Sequence, residues 1–143
     1  MSIRKSVALR CMPETAFRAF TRHIGQWWPL AQGFSFGRER AKEIFLDDRV
    51  CGRFYERFKD GSEFEIGRVT QCEPPHRIVF TWKAPDWEGA TEVEVRFLNE
   101  SGGTRVELEH RGIEALPQSA EKTERFAGGW ETILRQFARH ADG

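Results

Sequence analysis

The chain has no excess of charge of either sign. Its 143 residues contain 22 Lys plus Arg and 22 Asp plus Glu, so the formal net charge is zero. Nucleic acids and anionic membrane surfaces attract basic proteins, so this balance argues against either as a main partner. The charged residues alternate along the chain and form no block, which is typical of a solvated exterior.

Cysteine and long apolar runs are also scarce. Cys11, Cys51 and Cys72 are widely spaced, and no Cys-x-x-Cys motif occurs. This pattern argues against a disulfide framework or a zinc site, so we expect each cysteine to be a small buried apolar residue. No stretch approaches the length of a membrane span, and the N-terminus lacks a signal-type apolar segment. We therefore expect a cytoplasmic protein with no membrane span.

Motifs of nucleotide binding and of common catalytic sites are missing as well. The sequence has no Gly-x-Gly-x-x-Gly, P-loop, Gly-x-Ser-x-Gly or His-Glu-x-x-His motif. The four histidines fall in different predicted elements, with no pair at ligand spacing. We expect no metal site and no cofactor, and the sequence by itself identifies no catalytic residue.

Aromatic residues, by contrast, are abundant. The chain has 12 Phe and 5 Trp beside a single Tyr. Phe and Trp bury large apolar areas, and a buried Trp needs a partner for its ring N–H. Because this is more aromatic surface than a small core requires, we expect an apolar cavity in addition to the core.

The stretch from Ser119 to Gly143 predicts one long amphipathic helix with Ser119 as its N-cap. Its apolar stripe at helical spacing consists of Phe126, Trp130, Ile133, Leu134 and Phe137. Gly128 and Gly129 lie at mid-length, where each costs the helix roughly 1 kcal/mol relative to Ala. Gly129 lies beside the stripe, where the missing side chain leaves room either for a closely packed strand or for a ligand.

Seven segments predict β-strands, and most of them alternate apolar and polar residues. They cover residues 3–9, 43–46, 52–58, 64–70, 78–82, 91–98 and 104–110. Asp60-Gly61 is a strong hairpin signal between the third and fourth segments, and Pro13 opens a short helix after the first. Clean alternation predicts an antiparallel sheet covered on one face, and only the C-terminal helix is long enough to cover it. We predict one α+β domain spanning residues 1–143.

The segment from Leu30 to Gly37 is predicted to be a loop that carries Phe34 and Phe36. Such a loop is either folded onto the core or a mobile lid. Trp27 and Trp28 precede it, and because they are adjacent, at most one is expected to face inward on a regular element.

Glu56, Arg68 and His110 each share the strand phase of apolar neighbours. Because burying an unpaired charge is costly, each needs a partner, a water-filled cavity or a bulge that turns it outward. Gly67 makes a bulge plausible at Arg68, and His110 is either a half-exposed edge residue or a cavity residue. Glu56 is the strongest candidate, since a carboxylate facing a cavity can bind a polar head group or act as a general base.

Two tryptophans are in phase with apolar residues of facing elements. Trp82 ends a predicted strand, and Trp130 lies on the helix stripe. They are either ordinary core residues or part of one cavity wall.

Short motifs in a characteristic order run along nearly the whole chain. They are residues 13–20 with Trp27-Trp28-Pro29, residues 52–56 with Asp60-Gly61, Gly67-Arg68-Val69 with Glu73-Pro74-Pro75, Phe80-Thr81-Trp82, Thr91-Glu92-Val93, and Gly129-Trp130. In this order and spacing the chain resembles the START-like, or SRPBCC, helix-grip superfamily. Within it the chain is most similar to the subgroup related to the C-terminal domain of the activator of Hsp90 ATPase.

The resemblance implies a curved antiparallel sheet of about seven strands around a long C-terminal helix, as in START and Bet v 1-like proteins. Superfamily members use the cavity between sheet and helix for lipids, hormones and polyketides, and some are cyclases or hydrolases. The eukaryotic co-chaperone contacts the chaperone through a separate N-terminal domain. Since one helix-grip domain is expected to use all 143 residues here, the resemblance does not predict chaperone activation.

The leading prediction is a protein that binds a small hydrophobic or amphipathic molecule between the sheet and the helix. Its expected ligand-binding residues are Glu56, Trp82, His110, Phe126, Gly129, Trp130 and Ile133. One alternative is a hydrolase- or cyclase-type enzyme that uses Glu56 or His110 as general base. Another is a stress- or chaperone-related interaction module, which predicts an exposed apolar patch around Trp27, Trp28 or Trp87. A homodimer is also compatible with the sequence.

Overall fold

A seven-stranded antiparallel sheet is the central element of the computed structural model, which describes residues 2–143. The strands are β1 (Ile3–Leu9), β2 (Ala41–Leu46), β3 (Arg53–Phe58), β4 (Glu63–Glu73), β5 (Arg77–Trp82), β6 (Thr91–Glu100) and β7 (Gly103–Arg111). Their order across the sheet is β1-β7-β6-β5-β4-β3-β2, and every neighbouring pair is antiparallel. All seven predicted strands are present, and most are longer than the alternation alone indicated.

Three α-helices accompany the sheet within the described part of the chain. They are α1 (Pro13–Phe20), α2 (Ile24–Trp27) and α3 (Ser119–Asp142), and three short 3-10 turns cover Leu30–Gln32, Arg38–Arg40 and Ile113–Ala115. Pro13 occupies the first turn of α1, as predicted.

One prediction about α3 is wrong. Its N-cap is Gln118, in the left-handed region with φ of 56°, rather than Ser119. The stretch is one long helix, as predicted, and it continues through Gly128 and Gly129 because packing of its apolar stripe outweighs the weak helix propensity of two glycines.

The core lies between the inner face of the sheet and the helices. Phe137 of α3 meets Phe20 of α1 and Trp27 of α2 with ring centroids 5.3 and 5.1 Å apart, and Phe20 in turn meets Phe97 of β6. Asp142 anchors the end of α3 by accepting hydrogen bonds from the backbone N–H groups of residues 10 and 11. The C-terminal half of α3 is therefore packed against α1, α2 and β1. The predicted helix-grip architecture, a curled sheet with the C-terminal helix on its inner face, is confirmed.

The outer face of the sheet carries a layer of ion pairs centred on Glu94. Although Glu94 lies on the outer face of β6, it is only 6% exposed because arginines cover it. Arg77 and Arg111 each approach one of its carboxylate oxygens to 2.6 Å, and Arg96 lies at 3.1 Å. Burial by itself disfavours the carboxylate, but the hydrogen bonds from Arg77 and Arg111 prevail and lower the pKa of Glu94 to about 2.

Glu94→Gln is expected to destabilise the protein at neutral pH by on the order of 3 kcal/mol, the linkage value of this shift. The unfolded state takes up the Glu94 proton near its ordinary pKa of about 4.5, whereas the folded state resists until about 2. The stabilisation is therefore present above pH 4.5 and lost as the pH falls towards 2. Urea unfolding of both proteins across this range should show their difference shrinking with acid, and a difference that is constant with pH would contradict this account.

Two local predictions need correction. The cysteines are not fully buried. Cys51 is exposed in a turn, whereas Cys11, which follows the edge strand β1, and Cys72, near the end of β4, are half-buried. Trp27 and Trp28 are both buried, since α2 ends at Trp27 and the backbone of Trp28 is extended, which turns both rings inward.

Candidate ligand-binding pocket

A pocket of about 540 Å³ opens between the sheet and the N-terminal half of α3. Its floor includes Ile66 of β4, together with Glu56 of β3 and Trp82 at the end of β5. One side is formed by residues 33–36 with Arg38 and Trp28, and the other by residues 84–87. Residues 125, 126, 129, 130 and 133 of α3 complete the wall.

The structure places six of the seven predicted site residues on this wall. They are Glu56, Trp82, Phe126, Gly129, Trp130 and Ile133. His110 is not on the wall. Ile66 and the segment 84–87 were not predicted, because their place on the wall follows only from the curl of the sheet, and the role of residues 33–37 was left open. That these residues contact a ligand stays a prediction.

Glu56 holds one side of the pocket in place. It is 1% exposed, and Ser35 Oγ donates a hydrogen bond of 2.7 Å to its carboxylate. The backbone N–H groups of Phe36 and Gly37 donate two more, at 2.8 and 3.2 Å. A Cβ at Gly37 would lie 2.5 Å from the ring of Phe58, so any larger residue would force that ring to move. The carboxylate that the sequence offered as a ligand anchor or general base is therefore already used by the chain itself.

Further contacts fix the same segment to the core. Trp28 Nε1 donates a hydrogen bond of 2.8 Å to the carbonyl of Phe34. The ring of Phe36 packs on Phe64 and Trp82 at 5.2 and 6.0 Å between centroids. Of the two predictions for residues 30–37, the structure agrees with a loop folded onto the core.

Glu56→Ala is expected to destabilise the protein by about 2–4 kcal/mol, because the backbone N–H of Phe36 and the hydroxyl of Ser35 lose a charged acceptor, and Gly37 keeps only Ser35 Oγ. The effect should be local as well as global. Hydrogen exchange at Phe36 and Gly37 should accelerate more than exchange at the central strand β6. Uniform acceleration at all these sites would show that Glu56 does not hold this segment in particular.

His110 lies in the core behind the pocket wall, fully buried, and is neither a half-exposed edge residue nor a wall residue as predicted. Its ring packs against Trp82, Phe126 and Trp130, which do line the pocket. β7 pairs with both β1 and β6, so His110 is enclosed from both sides of its strand.

The hydrogen bonds of His110 define its tautomer. Trp130 Nε1 can only donate, and it lies 3.0 Å from His110 Nδ1, so Nδ1 is the acceptor. Nε2 therefore carries the proton and donates to Thr91 Oγ1 at 2.7 Å, and that hydroxyl donates to the carbonyl of Trp82 at 3.1 Å. Burial lowers the pKa of His110 to about 3, so the ring is neutral at physiological pH. With both nitrogens engaged and no access to the pocket, His110 is not placed to act as a general base.

Trp82 is the most connected ring of the wall. It contacts Trp28, Phe36, Phe54, Phe126 and Trp130, with centroids between 5.5 and 6.3 Å. Its buried Nε1 has no hydrogen-bond partner within residues 2–143, unlike the ring nitrogens of Trp28 and Trp130. Within this range the ring of Trp82 is therefore held by aromatic packing and not by a hydrogen bond from its Nε1.

Gly129 leaves open space on the helix side of the pocket. A Cβ built there would meet only the edge of the Phe34 ring, at 3.5 Å, which is ordinary van der Waals contact. At the neighbouring Gly128 a Cβ would meet nothing within 4 Å, and that residue is exposed and away from the pocket. Of the two explanations for the glycine, room for a closely packed strand is therefore wrong.

Arg68 is exposed and paired with Glu65 at 2.8 Å, as the expected bulge requires. The register between β3 and β4 shifts between Phe54 and Tyr55, opposite Gly67. A Cβ on Gly67 would lie 1.7 Å from the carbonyl oxygen of Thr81, so only glycine fits there. The bulge turns Arg68 away from the pocket.

The exposed apolar patch that an interaction module would need is absent from residues 2–143. Trp27, Trp28 and Trp87 are all buried. The exposed large apolar side chains in this part of the chain are Met12, Val50 and Leu98, which belong to separate elements. The interaction-module alternative therefore loses its main support.

Residues 2–143 contain no cluster of three His, Cys, Asp or Glu side chains suited to a metal ion. Nor does any helix in this range combine the length and the apolar composition that a bilayer crossing needs.

A curled seven-stranded antiparallel sheet around a long C-terminal helix, with a pocket between them, defines a START-like helix-grip protein. The model of the family described as Activator of Hsp90 ATPase homolog 1-like protein matches residues 10–142, and the chain belongs to this family.

Solved structures of similar proteins have the same fold. Protein CV1439 from Chromobacterium violaceum is 24% identical with a TM-score of 0.73, and the match covers 99% of this chain and 97% of that one. The AHSA1-like protein from Aeromonas hydrophila is 25% identical with a TM-score of 0.66, over 97% and 90% of the two chains. Protein MLL2253 from Mesorhizobium loti is 17% identical with a TM-score of 0.73, over 97% and 95%. No curated protein matches the sequence.

Proposed function

We propose that this protein binds a small hydrophobic or amphipathic molecule in the pocket between the sheet and α3. The observation that carries the proposal is the size of the pocket together with its wall. Its volume of about 540 Å³ lies within the range of roughly 300–1,000 Å³ that is typical of small-molecule sites. A space of this size in a domain of 143 residues exceeds an ordinary packing defect.

The chemistry of the wall supports an apolar body for the ligand. Trp28, Phe36, Trp82, Trp87 and Phe126 present aromatic rings to the pocket. Glu56, the one acidic side chain on the floor, is occupied by hydrogen bonds from the chain. The fold is commonly a ligand-binding one, which is consistent with this use. The predicted cytoplasmic location and homodimer stay predictions.

Titration with 2-acetylnaphthalene, a flat neutral probe, tests the proposal. We expect saturable one-site quenching of tryptophan fluorescence, with a dissociation constant on the order of 10–100 μM for a ligand of this size. The melting temperature should rise with probe concentration, because the probe binds only the folded state. If neither this probe nor a panel of steroid and alkyl probes shows saturable binding, the proposal is wrong.

A further inference from the structure

We infer that the pocket takes an amphipathic anion, whose apolar body lies among the aromatic rings and whose oxyanion is bound at the rim by Arg38 and Arg125. The inference rests on the proposed function and names the class of ligand. The two arginines come from different parts of the wall, Arg38 from the loop that carries Phe34 and Phe36 and Arg125 from α3.

Both rim guanidiniums are exposed and free of ion pairs within residues 2–143. The guanidinium carbon of Arg125 lies over the ring of Phe126, 5.8 Å from its centroid. Arginines on the outer face of the sheet are used differently, since Arg53, Arg77 and Arg111 are each bonded to one or more carboxylates. The rim thus holds two cations whose side chains form no ion pair with any of residues 2–143.

Backbone geometry adds an independent observation at Arg38. This residue has φ of 54°, in the left-handed region that residues other than glycine seldom adopt. The preceding segment is fixed by Glu56 through Ser35, Phe36 and Gly37. Arg38 is therefore kept at the rim by a fixed and unfavourable backbone, which is common where a side chain serves a binding site.

The acidic groups of the pocket do not cancel this charge. Asp86 lies on the rim and is exposed, so the rim has two positive side chains against one negative. Glu56 lies below the rim, and its carboxylate is shielded by three hydrogen-bond donors. A carboxylate-type head group matches the planar donor pattern of two guanidiniums, whereas a cationic head group would meet repulsion from both.

Matched probes separate this inference from the proposed function. Naphthoate presents the same ring system as 2-acetylnaphthalene but carries a carboxylate, and 2-naphthylmethylamine carries a cation. We expect 2-naphthoate to bind about tenfold more tightly than the neutral ketone, as two exposed ion pairs of ordinary strength would give, and the amine to bind more weakly. Raising the ionic strength should lower the affinity for 2-naphthoate and leave the affinity for the neutral ketone unchanged.

Variants of the rim locate the effect. Arg38→Gln and Arg125→Gln should each weaken naphthoate binding about threefold, leave ketone binding unchanged, and in combination bring the two probes to equal affinity. Asp86→Asn should tighten naphthoate binding. Arg135→Gln is the control, because it removes the same charge from an exposed arginine of α3 that is not on the pocket wall.

The probe affinities distinguish failure of this inference from failure of the proposed function. If the ketone and naphthoate bind equally to the unaltered protein, or if Arg135→Gln weakens naphthoate as much as Arg125→Gln does, the rim does not select an anion and the inference is wrong while the proposed function stands. If no probe binds, the proposed function fails first. Thermal unfolding of each variant confirms that the comparison is made between folded proteins.

Discussion

Gly129→Leu is expected to abolish binding of 2-acetylnaphthalene, raising its dissociation constant at least tenfold. The new side chain starts from an open position beside Phe34 and extends into the space that the probe would occupy. When the leucine fills the pocket, the probe can no longer bury its aromatic rings there. That burial contributes well over 1.4 kcal/mol to the free energy of binding, and 1.4 kcal/mol corresponds to a tenfold change in the dissociation constant. The variant should fold, because Leu has a higher helix propensity than Gly by close to 1 kcal/mol.

Gly128→Leu is the matched control. It makes the same change one residue earlier in the same helix, at an exposed position where an added Cβ meets nothing within 4 Å. Both variants should gain similar helix stability, and only Gly129→Leu should lose binding in calorimetric titrations. Unchanged binding to Gly129→Leu would place the ligand elsewhere, for example in the second, charged groove next to Glu14, Arg18 and Asp48.

His110→Leu is expected to destabilise the protein by about 2–4 kcal/mol at pH 7, with little change in the volume of the side chain. It removes two hydrogen bonds and leaves the N–H of Trp130 buried without an acceptor. Adding Trp130→Phe to this variant should cost less than the same change in the unaltered protein, since the orphaned donor is then removed. A double-mutant cycle from urea unfolding should give a coupling of about 1–2 kcal/mol, and simple additivity would exclude the Trp130–His110 bond.

The pH dependence of stability gives a second test of His110. The unfolded chain binds a proton at this residue below about 6.5, but burial keeps the folded state neutral until about 3. The unfolded state therefore holds more protons between these values, so stability falls as the pH drops from 6.5 towards 3, by at most about 1.4 kcal/mol per pH unit. His110→Leu should lose this slope between pH 6.5 and 5, before most carboxylates titrate. An identical slope in both proteins would contradict the assignment.

Local sequence patterns predicted the fold because the elements depend on short-range chemistry. Alternation in residues 91–98 and 104–110 defined β6 and β7, and Asp60-Gly61 marked the β3–β4 hairpin, where Gly61 has φ of 88°. The spacing from Phe126 to Phe137 defined the face of α3. Capping was missed, since Ser119 satisfies the ordinary N-cap preference and yet the chain enters the helix through Gln118.

The alternation of side chains along the strands predicted the site only in part. It gave the burial of Glu56 correctly, because phase along a strand decides which face a side chain occupies. It could not give the partners of Glu56, since Ser35, Phe36 and Gly37 are about 20 residues away and reach it only when the loop folds back. The same alternation placed His110 on the inner face of the sheet. It could not show that rings from β5 and α3 cover His110, because those elements are distant in sequence.

The sequence by itself determined the elements of this protein, their order, and a sheet with one face for a long aromatic helix, because these follow from periodicity and turn chemistry within short windows. Tertiary structure alone decided where the helix touches the sheet and where it does not. Trp130 meets His110 directly, whereas Gly129, one residue earlier, borders open space. That difference depends on the curl of the sheet and on two loops distant in sequence, 33–38 and 84–87, so no local pattern encodes it.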